Sequence, residues 1–295
     1  MEGRSMTTNR IHKAQVRALA KLNNITYVEA KRQLRIIQGI ETSPREHLPT
    51  IERLPEKKLE AFAKLNKGIP LGTVSALLPE NLDDPDSVSN AFRFFTWPAE
   101  SSSKILTWDP TMCSSLSFTG RPGSGKTVFA KQVARYGRAA GYETLFFSDR
   151  PMDYANEVGL STSELPIHEQ LEEILVRRIQ HVREMNHAND QESKVPQSLL
   201  FIDADLSAND FATAQLRATY SRLSRLGRSL GLYCIAIAQH KMASPYPLGE
   251  DINVGSAPVD HREPALGSAW FKAGLHEYVN FALGQPESTL SKDHS

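Results

Sequence analysis

The stretch that decides the fold is "SFTGRPGSGKTVFAKQ", Ser117 to Gln132. A short apolar run leads into a glycine-rich turn, one lysine, one threonine and a helix-forming tail. Gly120-Arg-Pro-Gly-Ser-Gly-Lys126-Thr127 satisfies the pattern GxxxxGK[ST] in full. Glycines let successive backbone N–H groups turn inward around an anion, and the positive end of the following helix adds to the attraction. The loop from Gly120 through Gly123, Ser124 and Gly125 to Val128 is therefore expected to cradle the phosphates of ATP. Lys126 is placed to reach the β- and γ-phosphates, and the Thr127 hydroxyl to complete the coordination of Mg2+.

Outward from this loop, short apolar runs alternate with helical stretches, the pattern of an α/β domain with a mainly parallel sheet. "SSLSFTG" reads as the first strand, followed by a helix through "KTVFAKQVARYGRAA". "ETLFFSD" (Glu143 to Asp149), "SLLFIDAD", "LYCIAIAQ" and "YVNFALG" (Tyr278 to Gly284) read as further strands. "IHEQLEEILVRRIQHVREM" is a long helix with Ile167, Leu171, Ile174, Val182 and Met185 on one apolar side. "DFATAQLRATYSRLSRLGRSL" is another helix, closed at Gly231.

A site that handles a nucleotide triphosphate needs a second half: an apolar strand ending in an aspartate. "LLFID" supplies it, with Asp203 placed to hold magnesium through water. Roughly eighty residues separate the loop from Asp203, which leaves room for a strand inserted between the two, as in RecA-like motors. The third signal is "SRLSRLGRSLGLYCIAIAQH" (Ser221 to His240). Its strand ends in Gln239, where an amide would sit beside the γ-phosphate. Arginines spaced by three, Arg222, Arg225 and Arg228, line one helix face from which they could reach a neighbouring subunit's nucleotide. On spacing alone, an arginine stripe reads equally as a solvated face and a strand-end glutamine as a loop contact.

The first forty residues form a small unit in the sequence pattern. "HKAQVRALAKL" has helical spacing, "NN" breaks it, and Thr26 caps a second helix through "YVEAKRQLRII". The pair is locally basic, suited to a solvated face or to contact with DNA or an acidic partner. Residues 41–103 read as a linker and a helical or irregular lead-in, with one amphipathic helix in "IERLPEKKLEAFAKLNKG" ending at Gly68. Residues 104–284 are the expected nucleotide-binding domain, and 285–295 a disordered tail.

The chain's 295 residues suffice for one large domain or two unequal ones. Lysine plus arginine equals aspartate plus glutamate at 34 each, so any nucleic-acid contact must be a local patch rather than a global charge. The longest apolar run, Leu232 to Ala238, is too short to span a bilayer, and "MEGRSMTTNRIHK" has no signal-like apolar core. Cys113 and Cys234 lie far apart in no CxxC pattern, which argues against a disulfide framework. The expectation is a soluble, cytoplasmic protein in a reducing compartment.

The run "RLGRSLGLYCIAIAQ" resembles the FtsK/HerA superfamily of DNA-pumping ATPases, where a helix with R-x-G-R-x-x-G leads into an apolar strand ending in A-T-Q. The approach "ILTWDPTMCSSLSFTGRPGSGKT" is similar to that family's short strand and phosphate loop. The resemblance covers roughly Lys104 to Gln239. It implies a RecA-like P-loop fold, with Lys126 and Thr127 on phosphate and magnesium, Asp203 on the metal and Gln239 sensing the γ-phosphate. It further implies that Arg225 or Arg228 acts in trans within a ring, usually of six subunits, moving DNA or protein in a mobile-element, conjugation or secretion-type system. A membrane-bound partner belongs to the same expectation.

One position departs from the family, which places a glutamate directly after the metal-binding aspartate to polarise the attacking water. Here that position is Ala204, which can neither take a proton nor orient water. Either Asp205, or Asp149 at the tip of the neighbouring strand, substitutes, or the protein binds ATP as a switch or scaffold without efficient turnover. A third reading, a small-molecule kinase, takes Asp149 and Arg150 in "FFSDRPMDY" as substrate contacts.

Overall fold

The computed structural model describes Arg17, Lys21, Ile51 and residues 53–66, 68–75, 91–96, 103–187, 195–204, 211–239, 250–255, 267–273 and 277–285. The chain divides into two compact units, Met1–Thr50 and Ile51–Ser295. In the first unit, Arg17 and Lys21 are helical and exposed; the rest of the expected basic hairpin lies outside the described residues.

In the second unit the elements run α1 (Glu56–Asn66), β1 (Ile69–Ser75), β2 (Phe92–Thr96), β3 (Ser103–Trp108) and β4 (Ser115–Thr119), then α2 (Lys126–Ala139). They continue as β5 (Glu143–Ser148), a 3-10 turn (Pro151–Tyr154), α3 (Ile167–His187), β6 (Ser198–Asp203), α4 (Phe211–Leu230) and β7 (Leu232–Ala238). Last come β8 (Glu250–Val254), β9 (Ser268–Ala273) and β10 (Glu277–Ala282). The strands form one sheet in the order β2-β3-β1-β10-β9-β8-β4-β7-β6-β5.

The half from β8 to β5 is parallel, as the alternation of apolar runs and helices predicts. Its strands are buried on both faces, which is why they read as continuous apolar runs. Side chains alternate between the two faces. Leu199, Phe201, Tyr233, Ile235 and Ile237 meet α2 and α1 through Phe129, Val133, Leu59 and Phe62. Leu200, Ile202, Cys234 and Ala236 meet α3 and α4 through Leu171, Leu175, Leu216, Tyr220 and Leu223. The α3 face chosen from the sequence is the one turned inward: Leu171 is fully buried, with Ile167, Ile174 and Val182 packed beside it.

Beyond β8 the sheet continues antiparallel through β9, β10, β1, β3 and β2. The strand expected at Tyr278 is thus present as β10, but it belongs to this extension. The segment read as a lead-in contributes β1 and β2 to the sheet, and position 104 falls inside β3. Glycine is required where β1 crosses β10: a Cβ on Gly72 would lie 2.2 Å from the Ala282 carbonyl oxygen.

The second unit's two ends are stapled together. Pro55 bridges Gln285, and the Gln285 N–H donates to the Leu54 carbonyl at 3.0 Å. Beneath them the buried Glu56 carboxylate accepts from Gln132 Nε2 and Arg135 Nη1 of α2, both at 2.6 Å. Gln132 Nε2 also donates to the Gly284 carbonyl at 3.1 Å. Beyond Gln285 the expected tail lies outside the described residues.

Candidate functional site

The phosphate loop joins the C-terminal end of β4 to the N-terminus of α2, where a parallel sheet opens its ligand crevice. Gly123 and Gly125 have φ of +77° and +92°, the left-handed region that glycine adopts freely. A Cβ at either would meet nothing within 4 Å, so the turn faces open space. Gly120, by contrast, lies hard against β8: its Cβ would stand 2.6 Å from the Val254 carbonyl oxygen. One wall of the loop is thus set by β8, a strand absent from the sequence reading.

Lys126 is buried, and its ammonium donates to the carbonyls of Gly120 at 2.8 Å and Arg121 at 2.9 Å. Burial pushes its pKa below the ordinary lysine value, Asp203 pulls it back up, and Arg150 adds to the depression. A cation held this way in a cleft gains from a nearby anion. Thr127 stands half-buried beside it, while the Val128 side chain is 56% exposed, leaving its backbone amide as its only offering to a phosphate.

Asp203 ends β6, and β7 lies between β6 and β4. Two strand spacings, about 10 Å, therefore separate Asp203 from the loop strand, room for a phosphate and a cation. The register sets Thr119 opposite Ala238, so Gln239 lies level with Gly120 at the sheet's end, with an exposed side chain. Lys126, Thr127, Asp203 and Gln239 thus share one end of the sheet.

Ala204 is buried within the apolar cluster under α3 and α4. Asp205 lies outside the described residues. Asp149, the other candidate carboxylate, sits at the tip of β5 with an exposed side chain, and its N–H donates to the Asp203 carbonyl at 3.2 Å. Arg225 and Arg228 are exposed on α4, whose end runs through Gly231 into the start of β7. Seven strand residues at about 3.3 Å each place that end some 20 Å from Gln239, and Arg228 stands by it, close enough to Tyr233 to act on its phenol. Arg222 pairs instead with Glu172 of α3 at 2.6 Å.

Two residues join the site that the sequence reading either missed or cast differently. The Tyr154 hydroxyl, buried, donates to Asp203 Oδ2 at 2.8 Å. Burial and the adjacent Asp203 carboxylate push its pKa far above the ordinary tyrosine value, so it is a neutral donor at any working pH. Arg150, offered by the kinase reading as a substrate contact, has its Nη2 at 3.3 and 3.4 Å from the two Asp203 oxygens. The signal was an aromatic and a cation in the turn after a strand; only the pairing of β5 with β6, Ser148 against Asp203, turns them toward the site.

These residues fit a magnesium-bound triphosphate. The glycine turn is open, a buried ammonium stands at its base, and a tyrosine hydroxyl already holds the carboxylate proposed for the metal. Bound there, magnesium would neutralise phosphate charge.

No family model and no curated protein matches the sequence. Among solved structures, the fold recurs in EssC (ATPases 2 and 3) from Geobacillus thermodenitrificans, with a TM-score of 0.52 at 14% identity over 83% of this chain and 47% of that one. The cytoplasmic domain of the Thermomonospora curvata type VII secretion ATPase EccC gives 0.51 at 15% identity, over 79% of this chain and 32% of that one. A protein described only as an ATPase gives 0.51 at 12% identity, over 79% and 94%. The chain thus has the RecA-like P-loop ATPase fold that the FtsK/HerA resemblance implied, and it spans about half the length of the EssC structure. Among the described residues, no helix is long and apolar enough to cross a membrane.

Proposed function

We propose that this chain is a magnesium-dependent ATPase of the FtsK/HerA kind. It couples ATP binding and hydrolysis to the movement or gripping of DNA or a protein substrate in a mobile-element, conjugation or secretion-type system. The observation that carries the reading is Lys126: a buried ammonium beneath an open glycine turn, across one inserted strand from Asp203. On this reading the loop amides and Lys126 bind the phosphates, Thr127 and Asp203 hold magnesium, and Gln239 reports the γ-phosphate. Arg225 and Arg228, exposed on α4, serve a neighbouring subunit, which makes the working form a ring, of six in this proposal, located in the cytoplasm.

Water must be activated by a carboxylate other than residue 204. Asp149 and Asp205 are the two candidates, and Ala204 in its apolar cluster is the specific observation behind a second reading, an ATP-bound switch that turns over slowly. One assay separates them: ATP hydrolysis with and without duplex DNA, on wild type, Lys126→Ala, Asp149→Asn and Asp205→Ala. The pump reading expects turnover that DNA increases, that Lys126→Ala abolishes and that one of the two carboxylate variants cripples. A wild-type rate no higher than that of Lys126→Ala selects the switch. Turnover and assembly both indifferent to DNA remove nucleic acid as the substrate.

A further inference from the structure

We propose that Arg150 is a contact for the terminal phosphate of the nucleotide, supplied by the chain itself and parked on Asp203 until nucleotide arrives. The inference rests on the nucleotide site argued above and names a residue toward that same ligand.

The position of Arg150 is built, not incidental. It follows β5 by two residues, in a turn that folds back over the strand's tip. Tyr154 in that turn stacks on Phe146 of β5 with ring centroids 5.0 Å apart, and its hydroxyl is fixed on Asp203. Leu160 bridges Phe146, with the Phe146 N–H on the Gly159 carbonyl and the Ser161 N–H on the Phe146 carbonyl, both at 2.9 Å. Glu157 pairs with Arg138 of α2 at 3.3 Å, and Arg138 also donates to Thr144 Oγ1 at 2.9 Å. The turn is thus anchored to both the strand and the loop helix, and it presents the Arg150 guanidinium at the crevice.

The charges in the crevice set what that guanidinium does. Lys126, Arg150 and Asp203 are mutually close enough to act electrostatically on one another, two cations to one carboxylate. Asp203 is the residue assigned to the metal, so its carboxylate is engaged elsewhere in the loaded site. Among the described residues Arg150 then keeps Asp153, 3.6 Å from its Nε, and the new anion in its neighbourhood is the triphosphate. Its side chain is 60% exposed, so it is free to turn, and a planar guanidinium fork matches phosphate oxygens. The place where the family carries a glutamate holds an alanine, and the strand beside it offers an arginine.

The test measures binding, not turnover. The full-length chain is titrated, with magnesium, against a fluorescent non-hydrolysable ATP analogue and against the matching ADP. Wild type is expected to prefer the triphosphate. Arg150→Ala is expected to weaken the triphosphate analogue about tenfold while changing ADP less than twofold. Arg150→Lys, which keeps the charge and loses the fork, is expected to fall between and stands in if the alanine variant fails to fold. A parallel loss for both nucleotides, or no change for either, overturns the proposal. If Lys126→Ala loses both nucleotides while Arg150→Ala behaves as wild type, this inference alone fails; if wild type binds neither, the nucleotide site itself is wrong.

Discussion

Replacing Tyr154 by phenylalanine removes a single oxygen from the site and leaves its packing intact. The ring keeps its stack on Phe146 at 5.0 Å and Lys131 over its face at 5.5 Å. What goes is the 2.8 Å hydrogen bond to Asp203, a carboxylate only 5% exposed. A hydrogen bond to a buried charge contributes about 1.5–3 kcal/mol. The Arg150 pair offsets little of the loss, because so exposed a guanidinium contributes less than about 1 kcal/mol. The nucleotide-free variant should therefore lose about 2 kcal/mol, a fall of about 4–8 °C in melting temperature for a unit of this size. In magnesium and ATP, where Asp203 has other partners, the gap should narrow to under about 2 °C. Differential scanning fluorimetry of both proteins, without nucleotide, with magnesium and nucleotide, and with nucleotide and EDTA, measures all six values. Equal melting of the two nucleotide-free proteins refutes the hydrogen-bond argument, and a deficit that persists undiminished with nucleotide refutes the assignment of Asp203 to the metal.

Gly227 packs α4 onto the start of β7 so closely that an added Cβ would lie 2.1 Å from the Leu232 carbonyl oxygen; Gly227→Ala should cost about 3 kcal/mol in a urea titration, and a cost below about 1 kcal/mol would show that the helix can shift. Glu56→Ala should destabilise by about 2 kcal/mol, because it strips two 2.6 Å contacts from α2, whereas Arg135→Ala, whose side chain is 45% exposed, should cost under about 1 kcal/mol; the same titration tests both. Burial raises the Cys234 thiol and the Tyr142 phenol each to about 12, so the native state keeps protons that the unfolded chain releases. Stability should hold below pH 9 and fall by about 1.4 kcal/mol per pH unit per group as pH climbs through the window above each group's ordinary value. Urea midpoints from pH 7 to 11 check this slope, and a flat profile would contradict it.

In the parallel half, β4, β6 and β7 were legible because they are covered on both faces and punctuated by a loop whose glycines have one purpose, whereas β8, "EDINV", is half-exposed and polar and was missed. "LLFID" and "LYCIAIA" carry no polar interruption, so they announce buried strands directly. The antiparallel half was legible only at β10, where "YVNFALG" carries an apolar run. β2 exposes Arg93 and Thr96 between its phenylalanines, β1 contains Pro70 and Gly72, and nothing local tells such segments that they will find one another across long intervals of chain. At the site, Lys126, Thr127, Asp203 and Gln239 could be placed because each is tied to a strand end by spacing. Tyr154 could not be: its role depends on a turn folding back over β5 and on β5 pairing with β6, both tertiary facts. The arginine stripe shows the opposite limit. Its spacing was clear, but only the packing of α3 against α4 reveals that Arg222 is taken up by Glu172 while Arg225 and Arg228 stay exposed.

The staple between Pro55 and Gln285 turns residues 51–285 into a closed circuit whose two ends meet on the flank of α2. Polypeptide attached before the circuit and polypeptide attached after it must depart from one spot. Both strands of that departure hang on α2, the entering one through Glu56 on Gln132 and Arg135 and the leaving one through Gly284 on Gln132, the helix whose first turn carries Lys126 and Thr127.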